Sequence, residues 1–78
     1  MKDLTDEEKE LLSKLGQRIK ELRIKKGYTN YEHFAYEHGI SRTQYGSYET
    51  GENLKFLTLV KVLKGLDVSL SEFFSENF

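Results

Sequence analysis

The chain has 78 residues with no cysteine, proline or tryptophan, which makes it one small domain without disulfides or a cysteine-built metal site. Its formal net charge of -1 sets it apart from the strongly basic chains common among nucleic-acid binders, and no apolar run is long enough to span a bilayer. The acidic N-terminus lacks the basic start of a secretory signal, so a cytoplasmic protein without cofactors is expected.

In chain order, residues 1–10 read as an acidic leader and residues 11–78 as a single domain. Thr5 and Glu8 stand at capping-box spacing, with Asp6, Glu7 and Glu8 in the first turn and Lys25, Lys26 and Gly27 at the end. A first helix over about 6–26 follows. Leu11, Leu15, Ile19 and Leu22 form its predicted apolar stripe, and the turns before Leu11 are expected to fray or to pack on a second copy. Charge is unevenly spread: Lys14, Arg18, Lys20, Arg23, Lys25 and Lys26 face only Glu21 within residues 14–26, which makes one basic block.

Asn30 caps a second predicted helix over about 31–38, Gly39 ends it, and Ser41 opens a third over about 42–50 with Gln44 at capping-box distance. Helix, tight turn and helix make a helix-turn-helix over about 31–50. Phe34, Ala35, Ile40, Tyr45 and Tyr48 are expected to turn inward, with Ser41 on the same side. Thr43, Gly46, Ser47 and Thr50 are then left outward, flanked by Arg42 and Gln44. Hydroxyls, one amide and one guanidinium can reach base edges or phosphates, and an outward mid-helix glycine suggests close approach of another molecule.

Beyond Gly51, the run Phe56, Leu57, Leu59, Val60, Val62, Leu63 and Leu66 predicts a fourth helix over about 56–65, apolar around much of its circumference and so the central buried element. Gly65 is read with Gly27, Gly39 and Gly51 as punctuation. Ser69 and Glu72 form another capping box that opens a short fifth helix carrying Leu70, Phe73 and Phe74. The fold class is all-α, a compact five-helix bundle.

The segments LGQRIKELRIKKG, FAYEHGISRTQYGSYETGE and LVKVLKGLDVSLSEFF resemble the Cro and phage-repressor (xenobiotic-response-element) helix-turn-helix family over about residues 15–74. The resemblance implies a sequence-specific binder of double-stranded DNA, a transcriptional regulator of the repressor type. It also implies a homodimer, with the third helix in the major groove. It implies base contacts from Arg42, Thr43 and Ser47, and phosphate or rim contacts from Ser41, Gln44, Thr50 and Asn53. A pair between Arg23 and Glu49 is also implied. Relatives often carry glutamine where this chain has Tyr31, which is placed with the phosphate or rim contacts, and glycine where it has Asp67.

Other chemistry finds little support. His33 and His38 point to different sides of one helix, so a shared metal is not expected, and no nucleophile, base and orienting group are assembled, so the chain is not expected to be an enzyme. Tyr31 and Tyr36 are expected to be exposed. Phe74 and Phe78 form a candidate dimer patch, if the last helix continues through Asn77. The competing function is a protein-interaction module, or antitoxin-like adaptor, that keeps the fold but binds DNA weakly.

Overall fold

A computed structural model describes residues 3–75. It comprises α1 (Asp6–Lys25), α2 (Tyr31–Glu37), α3 (Arg42–Glu49), α4 (Phe56–Leu66) and α5 (Leu70–Phe73), with no strand among the described residues. Local chemistry sets the helix ends. Thr5 accepts a hydrogen bond from the Glu8 amide while the Glu8 carboxylate accepts from the Thr5 amide, and Ser69 and Glu72 repeat this reciprocal cap on α5. Asn30 accepts from the amides of Glu32 and His33 at the start of α2. Ser41 accepts from the Gln44 amide at the start of α3. Gly27, Gly39 and Gly51 adopt positive φ where helices must stop, and Asp67 does the same after α4 with φ of 59°.

The core is built from Ile19 of α1, Phe34 and Ala35 of α2, Tyr45 of α3, Leu59, Val62, Leu63 and Leu66 of α4, and Phe73 of α5. Five helices thus share one core, each contributing at least one buried side chain. Close crossings depend on glycine. A Cβ on Gly16 of α1 would stand 2.5 Å from the Tyr48 carbonyl oxygen, so α1 lies directly on the C-terminal backbone of α3.

Three sequence expectations are corrected by these contacts. Leu11 is 49% exposed, so the stripe of α1 that meets the core starts lower, at half-buried Leu15. The fourth helix supplies four of the nine core residues but is not apolar-buried around its circumference: Phe56 and Leu57, in its first turn, are 61% and 77% exposed because no other helix covers them. Gly65 does not end a helix but lies within α4, where a Cβ would come within 3.0 Å of the rings of His38 and Phe34. The helix stops two residues later at left-handed Asp67. The Phe78 half of the predicted patch, and the continuation through Asn77, lie outside the described residues, while Phe74 is partly exposed.

Candidate DNA-reading surface

Two short helices joined at Gly39 position the candidate surface. The Gly39 backbone, with φ of 67°, turns the chain sharply, and the Lys61 ammonium of α4 donates to the Gly39 carbonyl at 3.1 Å, which ties the turn to the scaffold. Ile40 donates its amide to the Ala35 carbonyl, closing the end of α2. Fully buried Ala35 and Phe34 then bring α2 against α3.

From below, α3 is held by a buried ion pair. Arg23 Nε donates to Glu49 Oε2 at 2.7 Å and Nη2 donates to Oε1 at 3.2 Å, with the two side chains only 5% and 8% exposed. Arg23 Nη1 also donates to the Tyr28 carbonyl, so one guanidinium fastens α1 to the end of α3 and to the loop before α2. Burial alone would lower the Arg23 pKa, but the hydrogen bonds and charge of Glu49 outweigh it and the net direction is upward. Tyr45 lies beside this pair with its hydroxyl buried and without a hydrogen bond. Burial first, and then the Glu49 carboxylate, hold its phenol far above the ordinary range.

The upper side of α3 presents the predicted polar residues. Ser41, Arg42, Thr43, Gln44, Thr50 and Asn53 are exposed and Ser47 is half-buried. Ser47 Oγ donates to the Gln44 carbonyl at 2.6 Å and Thr50 Oγ1 to the Ser47 carbonyl at 2.9 Å, which leaves their oxygens able to accept. Two open grooves flank the helix. Thr43, Ser47, Thr50 and Tyr31 line one together with Gln17 and Lys20 of α1. Ser41, Gln44 and Asn53 line the other with Lys55 and Lys61. The surface gathers Thr43, Ser47, Thr50 and Tyr31 on one side of α3 and Ser41, Gln44 and Asn53 on the other, while Arg42 lines neither groove and lies instead beside Glu32, Tyr36 and Ile40.

Gly46 is half-buried, and a Cβ there would lie 2.8 Å from Tyr31 Cε1, so the close approach it permits is to the protein's own tyrosine. The Tyr31 ring covers Gly46, stacks toward Tyr45 at 6.4 Å between centroids, and remains 39% exposed at the groove edge. Ser41, expected inward, is exposed, since a helix cap precedes the first helical turn and does not share its phase. The basic block of α1 is smaller than its sequence suggests: Arg23 is consumed by Glu49, and Arg18 donates to the carbonyls of Phe73 and Glu72 at the end of α5. Sequence reading placed Lys20 in a basic block without a site and missed Gln17, Lys55 and Lys61 beside α3. Their only signal was spacing on α1 and α4, which is silent on what those faces adjoin.

Comparisons with known proteins agree with this geometry. The profile of the helix-turn-helix family matches residues 19–73. The control protein C.MunI of a Mycoplasma species is 38% identical over 64 residues, covering 81% of this chain and 86% of that protein. The crystal structure of the restriction-modification controller protein C.AhdI from Aeromonas hydrophila superposes with a TM-score of 0.76 at 35% identity, over 83% of this chain and 98% of that one. That of a single-residue mutant of the restriction-modification controller protein C.Esp1396I gives 0.74 at 36% identity, over 83% and 87%. The chain belongs to the Cro/C1-type helix-turn-helix family of DNA-binding transcriptional regulators.

Proposed function

We propose that the protein is a cytoplasmic repressor of the restriction-modification-controller kind, acting as a homodimer on an operator of two related half-sites. The observation that carries this reading is its 35% to 38% identity, over about four fifths of the chain, to proteins named as controllers. Each protomer lays α3 in the major groove, with Arg42, Thr43 and Ser47 on base edges. Ser41, Gln44, Thr50, Asn53 and the edge residue Tyr31 contact phosphate or the groove rim, assisted by Lys20, Lys55 and Lys61. Regulation by binding requires no catalysis and no cofactor. Two related half-sites follow from two-fold symmetry, because each copy presents the same helix to its own half.

The test is selection of bound duplexes from a random double-stranded pool, with sedimentation of the complex. Enrichment of a motif with two related halves, bound by two chains, supports the reading. A single half-site bound by one chain contradicts the dimer.

One observation favours a second reading, a protein-interaction module: Phe56 and Leu57 form an uncovered apolar pair on a chain of nearly balanced charge. Salt separates the two. Phosphate binding weakens steeply as salt rises, whereas an apolar protein interface responds little.

A further inference from the structure

Arg42 is the only cation on α3, and it already has a partner. Its Nη1 donates to Glu32 Oε2 at 3.1 Å, across the turn that joins the two helices. Glu32 stands in the first turn of α2, where its own amide is held by Asn30 Oδ1 at 2.7 Å, so the root of the carboxylate is fixed. Both side chains are largely in solvent, 74% exposed for Arg42 and 44% for Glu32. An exposed pair of this kind adds little to folding stability. Its place at the first residue of α3 gives it a different consequence.

A guanidinium carries five N–H donors in a rigid fork. With Glu32 on Nη1, the edge formed by Nη2 and Nε makes no hydrogen bond to the described residues and matches the paired acceptors of a guanine edge. A long, unrestrained arginine would instead turn to the nearest phosphate, a contact that carries no sequence information. Leaving Glu32 would also strand a carboxylate beside the DNA backbone, where like charges repel. The pair therefore weights Arg42 modestly toward poses that keep Glu32 on Nη1 and the other edge outward.

Resting on the reading that α3 enters the major groove, we infer that Glu32 is a specificity-determining positioning residue: it holds Arg42 to a base edge and suppresses binding to unrelated DNA. Glu32 exchanges some total affinity for discrimination.

The test compares wild type, Glu32→Gln, Arg42→Ala and the double variant. Each is titrated with the selected operator and with an unrelated duplex of equal length. Glu32→Gln is expected to bind the unrelated duplex about three- to tenfold more tightly, and its operator preference to fall by a similar factor. In the Arg42→Ala background, Glu32→Gln is expected to leave the preference unchanged, a coupling that general charge relief would not produce. An unchanged preference in Glu32→Gln, or an equal fall without Arg42, overturns the inference while the DNA-reading function stands. Failure of the wild type to enrich any duplex overturns both.

Discussion

The two sides of α3 are built on opposite terms. Below, each contact is buried and short: the bidentate pair of Arg23 and Glu49, the Tyr45 ring with no exposed surface, and the Gly16 backbone pressed on the carbonyls of Tyr48 and Glu49. Above, the polar side chains stand in solvent, and the one interhelical bond among them joins Arg42 to Glu32 through two exposed side chains. The lower side fixes where the helix points, because removing a buried partner leaves an unsatisfied charge or a clash. The upper side can exchange its partners at little cost, since water already competes for them. A regulator needs both: an aimed helix, and groups free to leave water for DNA.

The contrast is broken most strongly by Arg23→Met. It strands the Glu49 carboxylate in a buried site and should cost about 3–5 kcal/mol of stability in denaturant titrations. Replacing both partners with apolar residues should recover much of that loss. If stability and DNA affinity were both unaffected by Arg23→Met, the ion pair would have no part in aiming α3. Next comes Gly16→Ala, whose added methyl meets rigid backbone at 2.5 Å. An overpacking cost of about 1–3 kcal/mol is expected, with operator affinity falling as α3 shifts, so calorimetry and binding should change together.

Smaller effects sharpen the comparison. Tyr45→Phe removes a buried hydroxyl that has no hydrogen bond, so stability at neutral pH should change by less than about 1 kcal/mol. The Tyr45 pKa is raised on folding, so its contribution is complete below the unfolded phenol value of about 10 and is lost as pH rises beyond it. The variant should therefore lose less stability than wild type in alkaline denaturation, and an identical alkaline limb would contradict the assigned environment. Asp67→Gly relieves a left-handed backbone at the end of α4 and should raise stability by under about 1 kcal/mol. A loss instead would assign Asp67 a greater value in its long contact with Lys26, 3.9 Å away.

Much of the fold was legible because helix ends are written locally. Thr5 with Glu8, Asn30, Ser41, and Ser69 with Glu72 cap the helices they were expected to cap, and Gly27, Gly39 and Gly51 take the positive φ that stops them. What failed depended on neighbours distant in sequence. Periodicity gave the phase of α1 and α4 but not what opposes each turn, so Leu11, Phe56 and Leu57 were assigned to a core that does not reach them. The partner of Gly46 is not legible in sequence, because Tyr31 is fifteen positions away and only the crossing of α2 on α3 brings its ring there. Arg18 counts toward the basic block of α1 in the sequence, but the terminal carbonyls of α5 accept its hydrogen bonds. The bond from Arg42 to Glu32 likewise exists only once the turn has closed.

Mounting and reading are separate properties of the two sides of one helix. Measuring unfolding free energy and duplex selection together for the Arg42→Ala, Ser47→Ala double variant tests that separation most directly. Both residues lie on the upper side, so unfolding should stay within about 0.5 kcal/mol of wild type while the enriched motif disappears. A motif that survives in the double variant, or a stability loss of about 2 kcal/mol or more, would contradict that separation.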